Sequence, residues 1–345
     1  MNNNPSAWSC KPWLACLKIG KVTFWFIWIT PIIYGYLASA NISGPKHIGW
    51  FVYAILGTCF LEAINCMHNE LVDQEEDSAN QPNRTLLLKS IGEPRLKRMV
   101  KAGYIICVVG LIPLAFFVNP LVVVLMLTGG LAAPLYNWGP RLKRRVGVAE
   151  VAIGWAVFFG YLWGWRWNQP LSNVSPVVWV VTYFFAITSL MKDLPDVSGD
   201  ELVGAASVFS IRQKRLRMTL LFFIYLSPYV LVMLLMLAGI LPPKFMGLAG
   251  LIIPGLTVLY LGERVHSLET MILAYELAFL YVHIFFLTLF IIDTPTNAAV
   301  LVGLVLFVMR CVSVYLRLAP RFAEESFSWI RAMGSLTKNV RKSTT

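Results

Sequence analysis

The sequence predicts an all-α, polytopic transmembrane helix bundle of nine or ten spans, and three observations predict it. The first is composition. The 345 residues are 57% hydrophobic and only 14% charged, whereas a soluble domain carries about 25% charged residues. The second is segmentation: apolar runs fall near 22–40, 48–67, 102–118, 120–138, 146–165, 174–191, 218–241, 245–261, 270–292 and 298–316. Each fits the ~17–25 residues that a membrane helix requires, and Gly, Pro or Asn occupies the short connections, as turns demand. The third is charge placement. Of 29 Lys and Arg residues, Lys46, Arg166 and Lys244 lie in connections on one side and Arg310 lies inside the last run. The other 25 lie in the two ends and in the connections of the opposite side.

That asymmetry sets orientation, because Lys and Arg in short loops stay cytoplasmic. Both termini are therefore expected in the cytoplasm, with an even number of spans. Nine would strand Arg317, Arg321, Arg331, Lys338, Arg341 and Lys342 outside. The chain divides into a cytoplasmic segment 1–21, a transmembrane domain 22–316 and a basic cytoplasmic tail 317–345. The first run lacks a small-residue cleavage site and is read as a span rather than a signal peptide.

Several function classes recede on the same grounds. A net charge of +11 would suit a nucleic-acid partner, but the basic residues sit in clusters between apolar runs, so no nucleic-acid partner is expected. The six cysteines are scattered without a CxxC pair, and the four histidines show no metal-ligand spacing.

The aspartates carry the chemistry. The chain has only six, and five occupy two short stretches, Asn69-Glu-Leu-Val-Asp73-Gln-Glu-Glu-Asp77 and Asp193-Leu-Pro-Asp196-Val-Ser-Gly-Asp200. On a helix Asn69, Asp73 and Asp77 stand at i, i+4 and i+8, one face. Asp193, Asp196 and Asp200 stand at i, i+3 and i+7, again one face, with Pro195 able to kink or start that helix. Both stretches close spans, the second and the sixth, at cytoplasmic ends. Facing carboxylate walls repel unless a cation lies between them, and hard oxygen ligands select Mg²⁺, Mn²⁺ or Ca²⁺. Mg²⁺ takes one or two carboxylates and completes its shell with water and substrate phosphates. The expected picture is a diphosphate held between two walls by bridging metal ions.

Basic residues on the same side complement it: Arg84 in Pro82-Asn-Arg-Thr85, Arg141, Lys143, Arg144 and Arg145 after Tyr136, and Lys192 beside the second cluster. Lys or Arg can neutralise a departing diphosphate. Within the spans, Glu62, Glu150, Glu276, His283 and Arg310 are ionisable, which in lipid implies a cavity or a partner. Glu62 lies two turns before Asn69 on the same face, so it either looks into the pocket from below or makes a helix–helix hydrogen bond.

These two stretches resemble the Asp-rich motifs, NDxxDxxxD and DxxDxxxD, of the UbiA-type intramembrane prenyltransferases. The resemblance runs along most of the chain, with a tyrosine-and-basic segment after the fourth span. The wording Lys192-Asp-Leu-Pro-Asp-Val-Ser-Gly-Asp200, followed by Gly204 and Ser207, is similar to the subgroup that prenylates homogentisate and related aromatic acids. The resemblance implies that Asn69, Asp73, Asp77, Asp193, Asp196 and Asp200 bind a prenyl diphosphate, the five aspartates through metal, and that Arg84, Lys143 and Lys192 assist its departure. It implies Mg²⁺ as cofactor, an aromatic acceptor and transfer within the lipid bilayer. The chain departs from the pattern at Glu70, where Asp or Gln is usual, at Thr85 for Pro, and at Glu201 for Arg. Tyr136 and Lys143 also stand seven apart, and the tenth span is an addition to a nine-span core. Two alternatives are a terpene cyclase on the same scaffold and, from another class, a cation transporter, although surface rather than midplane carboxylates oppose the latter.

Overall fold

The computed structural model describes residues 12–21, 25–43, 46–74, 77, 82–137, 142, 145, 147–197, 208–264, 268–294 and 296–342. No strand occurs among them. The helices are α1 (Pro12–Ile19), α2 (Trp25–Ser43), α3 (Ile48–Val72), α4 (Pro82–Ile91), α5 (Glu93–Gly110), α6 (Ile112–Phe117), α7 (Pro120–Gly130), α8 (Ala132–Asn137), α9 (Val148–Arg166), α10 (Val177–Thr188), α11 (Lys214–Leu237), α12 (Ile252–Arg264), α13 (Leu268–Asp293) and α14 (Asn297–Lys342). Four 3₁₀ segments join them, of which Ser189–Asp196 and Pro243–Leu251 matter below.

Among the described residues, each of the ten apolar runs lies mainly on helix. Among the described residues nine helical stretches are long and apolar enough to cross a membrane, and the apolar part of α2, Trp25–Ala40, is shorter. The second of these stretches begins at Glu93, well before the run at 102. Its first turns carry charge, and Lys97 pairs with Glu93 at 2.6 Å one turn away, which keeps a polar helix start helical outside the apolar region. The seventh starts as the 3₁₀ segment Pro243–Leu251 and becomes α-helical only at Ile252. The chain is an integral, multi-pass membrane protein.

The most enclosed stretches are α9 and the stretch from α10 to Asp196, each with 67% of its apolar window buried inside the protein. They are the centre of the bundle, and α9 packs most extensively on α2. Glycine makes that contact possible. A Cβ on Gly164 would stand 2.2 Å from the carbonyl oxygen of Ile32, and one on Gly35 would stand 2.5 Å from that of Tyr161. The two backbones touch directly, as small residues allow between membrane helices.

Polar clasps fasten one end of the bundle. The Asn168 side chain, just past α9, accepts the Lys46 backbone N–H at 2.9 Å and donates to the Tyr36 carbonyl at 2.9 Å and to Ser39 Oγ at 3.0 Å. Nearby, Tyr34 OH donates to Asp293 Oδ2 at 2.7 Å and Lys244 Nζ to its Oδ1 at 2.9 Å. The ionisable residues noted inside the spans have partners too. Arg310, fully buried, donates to Glu276 at 2.6 Å, and Arg317 lies 2.7 Å from the other oxygen of Glu276. His283 Nδ1 lies 2.9 Å from the Phe279 carbonyl of its own helix.

Candidate active site

The first motif ends α3. The helix stops at Val72, yet Asp73 N–H still donates to the Asn69 carbonyl at 2.9 Å and Asp77 N–H to the Asp73 carbonyl at 2.7 Å. The i, i+4, i+8 relation thus survives the break, one helical turn per step. These are not solvated loop carboxylates. Asp73 is 9% exposed and Asp77 7%, both in the wall of a cavity.

The second motif departs from its expected geometry. Residues Ser189–Asp196 form a 3₁₀ segment rather than an α-helix. Pro195 has no N–H to give to a carbonyl four residues back, so the α ladder cannot continue through it. The tighter turn keeps the useful part of the pattern, because residues i and i+3 eclipse in a 3₁₀ helix. Asp193 and Asp196 therefore still share a side. Asp200, Lys143, Arg141 and Arg144 lie outside the described residues, and of Arg84 only the backbone is described, in α4.

One cavity of about 660 Å³ joins the two motifs. Asn69, Asp73 and Asp77 line it from the α3 end, and Lys192, Asp193 and Asp196 from the 3₁₀ segment. Tyr136 of α8 stands in the same lining. From there the cavity continues into apolar wall, with Ile27, Trp28 and Ile32 of α2 on one side and Leu56, Gly57 and Phe60 of α3 on another. Leu56 and Phe60 are 63% and 39% exposed on a helix that spans lipid, so this part of the wall also borders the bilayer.

Electrostatics at the polar end are organised in pairs. Lys192 Nζ donates to Asp193 Oδ1 at 2.8 Å and to Glu150 Oε1 at 3.0 Å. Glu150 is held in turn, since its Oε2 accepts the Gly147 N–H at 2.9 Å, capping α9. The span-embedded Glu150 thus has its partner, and that partner is the lysine of the second motif.

Sequence reasoning missed two cations in the lining, Lys21 and Arg317. Lys21 follows α1 with φ 46°, a left-handed conformation uncommon for residues other than Gly. Its Nζ lies 3.3 Å from buried Glu70 Oε1. That gives the departure at Glu70 a physical purpose: its carboxylate ties α1 to the first motif. The segment 1–21 therefore contributes to the site, and only the proximity of Lys21 to Glu70 in space, invisible along the chain, reveals it. Arg317 arrives from α14, past the apolar core of the last stretch.

Among the described residues no three His, Cys, Asp or Glu side chains converge closely enough to form a metal cage by themselves. The motif side chains are all oxygen donors spread over two walls. Such a set fits a hard cation that shares its shell with a ligand's phosphates.

Known structures share this architecture. A digeranylgeranylglyceryl phosphate synthase superposes with a TM-score of 0.59 at 18% identity, covering 83% of this chain and all of its own. A UbiA homologue from Archaeoglobus fulgidus, bound to DMAPP and Mg²⁺, gives 0.54 at 13% identity, over 88% of this chain and 99% of that one. The same homologue bound to GPP and Mg²⁺ gives 0.51 at 13% identity, over the same shares. No curated protein sequence matches. The profile of the UbiA prenyltransferase family matches residues 28–267, from α2 through both Asp-rich stretches to the end of α12. By that match, and in the fold just described, the chain belongs to the UbiA prenyltransferase family.

Proposed function

We propose that this protein transfers the prenyl group of an allylic prenyl diphosphate to an aromatic acceptor inside the membrane, in a Mg²⁺-dependent reaction. The observation that carries the reading is the single cavity lined by Asn69, Asp73, Asp77, Lys192, Asp193 and Asp196 at one end and by apolar side chains beyond. A diphosphate head needs the first and an isoprenoid tail the second. Burying each CH₂ of such a tail is favourable by about 0.8 kcal/mol. The DMAPP and GPP seen with Mg²⁺ in the Archaeoglobus homologue support the same substrate class.

In this reading Asp73, Asp77, Asp193, Asp196 and Asp200 hold the cation, and Asn69 orients the diphosphate. Bound Mg²⁺ supplies charge stabilisation to the leaving diphosphate as the allylic C–O bond breaks. Lys192, together with Arg84 and Lys143, adds positive charge on the same oxygens. Lys192 is kept in position by Glu150. The enclosed wall excludes water from the developing carbocation, and aromatic faces such as Trp28 stabilise it by up to about 2 kcal/mol each when desolvated. The acceptor then forms its bond to C1 and releases a proton. The aromatic-acid wording of the second motif supports an aromatic acceptor.

Both termini face the cytoplasm in this proposal, which puts the motifs where soluble prenyl diphosphates are available. A C-terminus protected from protease in inside-out vesicles would overturn that orientation. The decisive experiment for the reaction is mass spectrometry of products from several prenyl diphosphates, with and without aromatic acids. Prenylated acid formed only with the acceptor supports transfer. Hydrocarbon formed from prenyl diphosphate alone would instead identify a terpene cyclase.

A further inference from the structure

We infer that Glu62 is the base that takes the proton from the acceptor, an inference that rests on the prenyl-transfer reading and adds a residue that reading does not use. Glu62 belongs to neither motif, yet it lines the same cavity. It stands seven residues before Asn69 on α3. At 1.5 Å per residue that is about 10 Å deeper along the helix, and at 3.6 residues per turn it is within about 20° of the same face. A diphosphate held at Asn69 and Asp73 points its C1 carbon inward from the motif, past the length of the head group. The acceptor atom that attacks C1 must therefore sit one step deeper, at the level of Glu62.

The surroundings hold this carboxylate in place without using it up. Asn65 Nδ2 donates to Glu62 Oε2 at 3.3 Å, and Cys66 Sγ to Oε1 at 3.5 Å. Both are neutral donors on its own helix, and the Trp28 side chain of α2 adds a neutral hydrogen bond from the neighbouring helix. Asn137 Nδ2 of α8 donates to Asn65 Oδ1 at 2.7 Å, which fixes the side chain that orients Glu62. Glu62 itself is half-buried, its remaining surface turned to the cavity. A carboxylate oriented by neutral donors and open to the substrate space is what a general base requires.

The step balances. The C1–O bond breaks and its electron pair leaves with the diphosphate. The acceptor atom, phenolic oxygen or ring carbon, forms the bond to C1 and gives its proton to a Glu62 oxygen. The proton returns to water when product leaves.

Glu62→Gln tests this, because it keeps the shape and removes the basicity. The probes are geranyl and geranylgeranyl diphosphate with Mg²⁺, homogentisate and 4-hydroxybenzoate as acceptors, and a thiolodiphosphate analogue for binding. The expected result is unchanged Mg²⁺-dependent binding of the analogue, with kcat lower by roughly 10²–10⁴. The acid limb of the wild-type pH–rate profile should disappear in the variant, and Glu62→Asp should recover part of the rate. The titratable groups facing Glu62 are Lys21, Tyr104 of α5, and Cys59 and Cys66 of its own helix. They remain in both proteins, so a limb lost only in the variant belongs to Glu62. Normal turnover in Glu62→Gln, or loss of analogue binding in step with turnover, overturns the assignment while leaving prenyl transfer standing. A wild-type protein that neither binds the analogue nor prenylates either acceptor overturns the transfer reading, and this inference with it.

Discussion

At one end of the bundle Asp293 closes α13, where Tyr34 OH and Lys244 Nζ meet its two oxygens at 2.7 and 2.9 Å. At the other end Asp73, Asp77, Asp193 and Asp196 gather around a cavity with Glu62, while its described lining offers the cations Lys21, Lys192 and Arg317. One carboxylate fastens helices to each other, and its charge is answered within the protein. The others line a shared cavity, Asp193 with Lys192 at 2.8 Å, and in the proposed reaction their combined charge holds a cation. The contrast teaches that an aspartate in a membrane bundle declares its purpose through where it stands: at a clasp between helices, or in the wall of a cavity shared with a second motif.

The largest effect expected from that contrast comes from removing divalent metal. Chelation should abolish prenyl transfer and Mg²⁺ should restore it, since the gathered carboxylates repel a diphosphate without a cation between. Full turnover in metal-free protein would erase the difference between the two ends.

Next come single charges within the cavity. Asp73→Asn and Asp196→Asn should each lower turnover roughly 10²–10³-fold, the usual cost of losing one electrostatic contact to the transition state. The fold should persist, because Asn keeps the shape of each side chain while removing its charge. A fall in stability matching the fall in rate would make these residues structural, like Asp293.

A smaller effect should follow at the lysine between the walls. Lys192→Met leaves Glu150 and Asp193 side by side without their shared donor. About 1–3 kcal/mol of stability should be lost, the cost of leaving hydrogen-bonding groups unmatched. Adding Glu150→Gln should return part of it, as a thermal double-mutant cycle would reveal. Additive losses would mean that the 3.0 Å contact carries no energy.

The smallest catalytic effect belongs to the far end. Asp293→Asn should leave turnover unchanged and cost about 1 kcal/mol in thermal stability, since Asn can still accept from Tyr34 but loses the ion pair with half-exposed Lys244. A rate change there would link the clasp to the cavity.

Much of this was legible along the chain, for reasons particular residues make clear. Among the described residues each of the ten apolar runs lies mainly on helix, because lipid forces the backbone to satisfy itself within each segment. The i, i+4, i+8 spacing of Asn69, Asp73 and Asp77 survived because each step is one hydrogen-bonded turn. What stayed hidden depends on distance in space. Nothing in the sequence couples Lys21 to Glu70, 49 positions apart, or Lys192 to Glu150. The α-helical face drawn through Asp193 and Asp196 failed locally at Pro195, where the missing N–H favours the 3₁₀ turn. Glu62 was visible as an anomaly of burial, and in space both readings of it hold, since it lines the cavity and meets Trp28 of the neighbouring helix.

The glycine seam between α2 and α9 has a bearing on the range of tails the cavity can hold. Where Gly35 and Gly164 bring backbone against backbone, no rotamer remains to adjust, so the distance between these helices is a fixed gauge. Ile27 and Ile32 of α2 and Ile153 of α9 line the cavity from that gauge. Leu56, Phe60 and Ile106 line it from α3 and α5, and each is exposed on the outside of a membrane-spanning helix, where a bilayer yields. The chamber therefore has one stiff jaw and one soft jaw. In the proposed reaction a longer isoprenoid would gain its room by pushing the soft jaw into the bilayer, and selectivity for tail length would then rest on the residues of α3 and α5 rather than on the seam.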